Sequence, residues 1–159
     1  MSLTLPRRAA ARALLTLALG LACAPPALAC EGTPSGVKLT VIVDGVRTQT
    51  GLLTATVYGP DRARFLKSAG SLLSVRTPPQ PPTTQMCLWL PHAGAYEVGV
   101  FQDLNMNQRF DHSGLKLEPY GFSNNPHLFM APPSLEAARF DAPAGETVIH
   151  VHLHYSVGS

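Results

Sequence analysis

The chain has 159 residues, of which 12 are lysine or arginine and 10 are aspartate or glutamate, and its formal net charge is +2. The excess of positive charge lies in the first 29 residues, which contain three arginines and no acidic residue. Beyond them, 9 basic residues face 10 acidic ones. This balance lacks the positive surface of a nucleic-acid-binding protein and excludes that class. The length predicts a single domain.

The first segment has the organisation of a secretory signal peptide. Three arginines precede a short apolar run at residues 13–22, and a small-residue cleavage site ends at Ala29. A membrane-spanning helix needs about 20 apolar residues, and no segment of the chain reaches that length. We therefore predict a signal peptide over residues 1–29 and one mature domain over residues 30–159. The protein is expected to be exported, either periplasmic or secreted, without a membrane span.

The mature chain contains two cysteines, Cys30 and Cys87, because Cys23 is removed with the leader. An even pair in an exported chain predicts a disulfide. Two alternatives stay open at this stage. Cys30 follows Leu28-Ala29, which resembles part of a lipoprotein cleavage box, so Cys30 is also a candidate for lipidation. A catalytic Cys87 thiolate would need an electropositive neighbour, and the adjacent sequence offers none.

Apolar and polar residues alternate along most of the mature chain, which is typical of half-buried strands. Strands are predicted at about residues 37–43, 51–58, 71–77, 85–90, 95–101 and 147–155. Residues 61–69 are predicted to form one short helix, and 135–141 either a strand or a brief helix. These elements predict an all-β fold, an antiparallel β-sandwich of about seven strands with one short helix and a long ordered loop.

The long loop, residues 103–133, carries a candidate cation site. Oxygen-bearing side chains follow the fifth predicted strand at Asp103, Asn105, Asn107 and Asp111. Such oxygens in a curling loop can converge on Ca²⁺. They can equally stabilise a metal-free turn by bonding their own backbone. The glycine and the glutamate of an EF-hand are replaced by Gln108 and Gly114, so the loop is not an EF-hand.

The aromatic part of the same loop is a candidate binding surface, formed by Tyr120, Phe122, Asn124 and Asn125. Tyr120 and Phe122 either present an exposed platform for a ligand or anchor the loop to the sandwich. Aromatic residues inside the loop argue against disorder.

Several stretches resemble an uncharacterised bacterial family, the domain of unknown function 2141 family. They are Cys30-Glu31-Gly32, Cys87-Leu88-Trp89-Leu90-Pro91, the 103–111 run, the segment Glu118-Pro119-Tyr120-Gly121-Phe122-Ser123-Asn124-Asn125, and residues 133–140. The resemblance implies an exported, single-domain sandwich similar to transthyretin-like or carboxypeptidase-regulatory-like modules, and it brings no established activity. The family's loop usually reads His-Asp-x-Asn-x-Asn-Gly. This chain has Gln102 in place of the histidine and Gln108 in place of the glycine.

The last predicted strand carries three histidines on one face, His150, His152 and His154. Adjacent rings on that face are roughly 7 Å apart, which suits two ligands of one transition-metal ion. A third ligand would have to come from elsewhere, for example from His92 or His112. The alternative is a solvated sheet face on which the histidines bind nothing.

No catalytic motif is recognisable. The sequence Gly121-Phe122-Ser123-Asn124-Asn125 lacks the final glycine of a nucleophile elbow, and no paired carboxylates or phosphate-binding glycine loop occur. We therefore predict a non-enzymatic binding or structural protein of the cell envelope, and we disfavour a hydrolase. Its expected partner is another protein or a cell-envelope component, and Ca²⁺ is its candidate cofactor. The alternative function is periplasmic transition-metal binding by the three histidines.

Overall fold

Eight strands in two sheets account for most of the computed structural model, which describes residues 29–112, 117–128 and 131–155. The strands are β1 Val37–Asp44, β2 Leu52–Tyr58, β3 Ser71–Thr77, β4 Thr83–Trp89, β5 Gly94–Asp103, β6 Tyr120–Phe122, β7 Arg139–Ala142 and β8 Gly145–His152. The predicted signal peptide lies outside the described residues except for Ala29.

The first sheet has the order β4-β1-β8. β1 pairs antiparallel with β4 and parallel with β8, with Val41 opposite both Met86 and Ile149. The parallel pair departs from a wholly antiparallel sandwich. A parallel neighbour requires a long crossover, and here the connection between β1 and β8 contains the whole second sheet and β4.

The second sheet has the order β3-β2-β5-β6, and β7 pairs with β5 beside β6. Every second residue of β1 faces the second sheet, and every second residue of β2 and β5 faces the first sheet. The central core residues are Leu39, Val41, Leu53, Ala55, Val57, Met86, Leu88, Val98 and Val100. Two sheets packed on one apolar core confirm the predicted β-sandwich.

The helix predicted for residues 61–69 is wrong. The segment forms turns and then a single 3-10 turn at Ser68–Gly70, and Leu66 adopts a left-handed backbone with φ of 58°. A left-handed leucine cannot continue a right-handed helix. The α-helix lies instead at Leu135–Ala138, capped by the Ser134 side chain, and it leads directly into β7. No helix among the described residues is long and apolar enough to cross a membrane.

The predicted disulfide joins Cys30 to Cys87. Beside it, Glu31 pairs with the edge of β4, donating its N–H to the carbonyl of Cys87 at 2.9 Å and accepting from the N–H of Trp89 at 2.8 Å. A sulfur held in a disulfide can neither carry a lipid nor act as a thiolate. Such a bond is typical of oxidising compartments.

Candidate functional site

The acidic loop begins at the last residue of β5. Asp103 is fully buried, and both of its carboxylate oxygens accept backbone N–H groups from further along the loop. Oδ1 accepts from Asn107 at 3.0 Å, and Oδ2 accepts from Gln108 at 2.7 Å. These contacts fold the loop back over Asp103, so its sharp turn is built by the side chain at its own start.

The other three residues of the predicted cation site join the same network. Asp111 Oδ2 accepts from the side-chain amides of Asn105 at 2.7 Å and Asn107 at 3.1 Å. The Oδ1 atom of Asn105 accepts from the backbone of Asn107, and that of Asn107 from the backbone of Arg109. The structure therefore brings together all four residues, and it also forms the turn network that was the metal-free alternative.

A third carboxylate, that of Glu118, also binds the backbone of this loop, and the sequence did not predict it as a site residue. It is almost fully buried, and it accepts the N–H of Leu104 at 2.9 Å and that of Asp111 at 3.0 Å. Burial raises the pKa of Glu118, the two N–H groups oppose this rise, and the charges of Asp103 and Asp111 add to it. Its position in the family-like segment before Pro119 was the available signal, but no spacing rule links residue 118 to residue 103.

The two departures from the family pattern have different structural consequences. Gln102 is fully buried and donates its amide to the carbonyls of Thr48 at 3.2 Å and Thr50 at 2.8 Å, which fixes the β1–β2 connection beside the acidic loop. Gln108 has φ of 64°, a left-handed conformation that favours glycine. The loop thus keeps the turn geometry for which glycine is expected, although a bulkier residue occupies it.

Aromatic rings beside the acidic loop line a half-open cavity of about 520 Å³ on the outer face of the second sheet. We call it the aromatic cavity; its described lining residues include Tyr58, Leu66, Gly99, Phe101, Phe110, Tyr120 and Phe122. Phe110 is central, with ring centroids 5.7 Å from Phe101 and 5.3 Å from Tyr120. Phe122 is buried, so it anchors the loop, whereas Tyr120 is half-buried.

The two asparagines predicted as part of the loop surface are exposed, but both form hydrogen bonds with the backbone of other elements. Asn124 donates to the carbonyl of Arg139. Asn125 donates to the carbonyl of His150 at 3.0 Å and accepts from the N–H of His152 at 2.7 Å. One side-chain amide therefore pairs with the free edge of β8 as a neighbouring strand would.

The three histidines alternate with buried residues as predicted, but the structure does not gather their rings. His150 Nδ1 lies 2.8 Å from Asp44 Oδ2, and His154 exchanges backbone hydrogen bonds with Tyr120. Burial raises the pKa of Asp44, but hydrogen bonds from His150 and Thr83 outweigh it and leave the pKa below its ordinary value. Within residues 29–112, 117–128 and 131–155, no three His, Cys, Asp or Glu side chains are grouped to hold a metal ion.

The family assignment follows from the sequence profile described as an uncharacterized protein conserved in bacteria (DUF2141), which matches residues 41–150. The chain belongs to this family. The matched range runs from β1 into β8, so it includes the acidic loop, Glu118 and the aromatic cavity. No curated protein and no solved structure matches the chain. The DUF2141 family is uncharacterised, so membership in it does not supply an activity for this chain.

Proposed function

We propose that this protein is an exported, non-enzymatic binding module of the cell envelope whose acidic loop binds Ca²⁺ and whose partner binds at the loop region after β5. The observation that carries the calcium assignment is the hydrogen-bond network that holds Asp103, Asp111 and Glu118 in one loop. Among the described residues the three carboxylates are not grouped as an ion site, so Ca²⁺ would have to draw them together. Asp103 accepts the N–H groups of Asn107 and Gln108, and Glu118 accepts those of Leu104 and Asp111, so both carboxylates bind the backbone of the same loop.

The hydrogen bonds leave acceptor capacity for a cation. A carboxylate has about four lone-pair positions, and Asp103 and Glu118 each accept two N–H groups. No lysine, arginine or histidine in the described part of the chain forms an ion pair with the three carboxylates. Ca²⁺ prefers carboxylate, amide and backbone oxygens, and this loop supplies all three kinds. Rotation of the Asn105 and Asn107 amides would turn their oxygens toward Asp111 in place of their N–H groups.

A non-enzymatic role is supported by the environment of Ser123, the serine of the family-like segment. Its hydroxyl accepts the N–H of Val98 at 2.9 Å and donates to the carbonyl of Ala138, and the residue is fully buried. The hydroxyl joins β5 to the single-turn helix, and its hydrogen-bond partners among the described residues are backbone groups of Val98 and Ala138. This is a structural role and not that of a nucleophile.

Thermal unfolding in chelator and then in excess Ca²⁺ tests the proposal. A ligand that binds only the folded state raises the midpoint, by about 3 kcal/mol of stabilisation at one hundred times Kd. We expect Ca²⁺ to raise the midpoint of the wild type and to have little effect on Asp111→Asn. Asp141→Asn, on β7 away from the loop, is the matched control and should keep the full response. An equal response in the two variants would refute the assignment to this loop.

A second candidate, transition-metal binding, is favoured by one observation, the contact between His150 and Asp44. This carboxylate adds a ligand that the sequence pattern did not include, on the face that also carries His152. Zn²⁺ should then raise the midpoint of the wild type but not that of Asp44→Asn. A Zn²⁺ response that survives Asp44→Asn would exclude Asp44 as a ligand and remove the observation that favours this candidate.

A further inference from the structure

The aromatic cavity has the size and lining of a small-molecule site. Its volume of about 520 Å³ falls within the range of about 300–1,000 Å³ that is usual for ligand pockets. Phe101, Phe110 and Tyr120 are only half-buried, so they keep ring surface facing the cavity. Their planes are inclined to one another by 59° at both contacts with Phe110, which offers a ligand both ring faces and ring edges.

The polar groups of the cavity restrict the ligand's chemistry. Its described lining contains no lysine, arginine, aspartate or glutamate, and its one imidazole, that of His112, is exposed and stacks on Phe110 with ring centroids 6.0 Å apart. An ionised group placed there would lose its hydration without a partner. The Thr56 hydroxyl forms a hydrogen bond of 3.1 Å with the Ser74 hydroxyl. The other polar side chains of the described lining are Tyr58, His112 and Tyr120, and the remaining lining residues are apolar or glycine. Sugar hydroxyls need hydrogen-bond partners on most sides, so this mainly apolar wall disfavours a carbohydrate.

The floor of the cavity depends on Gly99. A Cβ at this position would lie 3.5 Å from the ring of Phe122 and 3.8 Å from Leu66, which are ordinary contact distances. Gly99 is not among the residues with positive φ, so a side chain here strains no backbone. The glycine therefore leaves space open above β5 at a point where a larger side chain is compatible with the strand.

From these observations we propose that the aromatic cavity binds an uncharged, planar, mainly apolar small molecule that stacks on Phe110 and Tyr120. The proposal rests on the binding role proposed for the loop region and does not depend on calcium. It names the ligand class of that surface, with ring stacking and burial as the source of affinity and the absence of charged partners as the source of selectivity.

Fluorescence titration of the purified protein with N-phenyl-1-naphthylamine, an uncharged aromatic probe, tests this inference. We expect saturable binding to the wild type. Gly99→Val, which fills the floor, and Phe110→Ala, which removes the central ring, should each weaken binding by about tenfold or more. Val148→Thr changes an exposed apolar residue on the other sheet and should bind as the wild type does. Circular dichroism confirms that each variant is folded.

Competition defines the ligand class. The uncharged ring compound 2-naphthol should displace the probe, and maltose should not. Absence of saturable probe binding to the folded wild type, unchanged binding in both cavity variants, or displacement by maltose alone would overturn the inference. Titration in chelator and in Ca²⁺ separates the two proposals. Calcium stabilisation without probe binding would refute only the cavity ligand, and probe binding without calcium stabilisation would refute only the ion site.

Discussion

Glu97 on β5 is a fully buried carboxyl group whose ionisation should lower the stability of the fold. Its Cα partners are Tyr58 on β2 and Arg139 on β7, yet neither of its carboxylate oxygens has a hydrogen-bond partner in the described structure. Burial raises the pKa of Glu97 from its ordinary value of 4.5 to about 7, although the charge of Arg139 opposes the rise. A buried, unpaired carboxylate is costly, so the folded protein favours the protonated form.

The sign and size of the effect follow from proton linkage. The folded state binds the Glu97 proton more tightly than the unfolded state does. The contribution of Glu97 to the free energy of unfolding is therefore full below about pH 4.5, and it declines as the pH rises to about 7. Each pKa unit corresponds to about 1.4 kcal/mol, so the shift amounts to about 3 kcal/mol in total. About 2 kcal/mol of that is lost between about pH 5 and about pH 7.5.

Glu97→Gln removes the ionisation and keeps the shape of the side chain. We expect the stability of the variant, relative to wild type, to increase by about 2 kcal/mol between about pH 5 and about pH 7.5. Urea unfolding followed by fluorescence of the single tryptophan, Trp89, measures this difference. Glu146→Gln is the control. Glu146 is exposed, and its hydrogen bonds with Lys38 and Thr40 lower its pKa, so its pH dependence has the opposite sign. Parallel pH profiles for wild type and Glu97→Gln would refute the reasoning.

Three further predictions concern the loops and the disulfide. Gln108→Gly should stabilise the protein by about 1 kcal/mol in urea unfolding, because glycine adopts the left-handed conformation without strain, and a lower midpoint would contradict this. Asn125→Ala should destabilise the protein by about 1–2 kcal/mol and speed hydrogen exchange of the His152 amide, because two backbone groups of β8 lose their hydrogen-bond partner. Unchanged exchange would show that this side chain does not protect the edge of β8. Removal of the disulfide by Cys30→Ala with Cys87→Ala should lower the free energy of unfolding by about 4 kcal/mol, because the bond closes a loop across a sequence separation of 57 residues. Urea midpoints equal to those of the oxidised wild type would exclude such a contribution.

The strands were predictable because their signal is local. Alternation of apolar and polar residues sets which face of a strand is buried, and β1, β2 and β3 lie within one residue of their expected positions. The same logic placed His150 and His152 on the exposed face of β8. The helix at residues 61–69 failed because its apolar positions, Phe65 and Leu66, are also satisfied by a turn that packs them on the sheet, where Phe65 meets Tyr58 edge-on at 5.6 Å.

The candidate site was predictable only in part. The spacing of Asp103, Asn105 and Asn107 brought them into one loop because neighbours in a short turn must be neighbours in space. Glu118 could not be assigned to that loop in the same way, since it approaches from the other end of a connection that returns to β6. The pairing of β5 with β6 places Glu118 beside the loop, and this pairing is a long-range contact that local spacing does not predict.

The sequence by itself determined the all-β class, the two cysteines available for a bridge and the acidic loop, because each is encoded in composition or in short spacing; the leader-like segment stays a prediction. The tertiary structure alone decided the parallel pairing of β1 with β8, the contact of Asp44 with His150, the buried state of Glu97 and the existence of the aromatic cavity. Those features arise where residues far apart in the chain meet across two packed sheets. Local periodicity states which side of a strand is apolar, but it does not state which strand lies beside it.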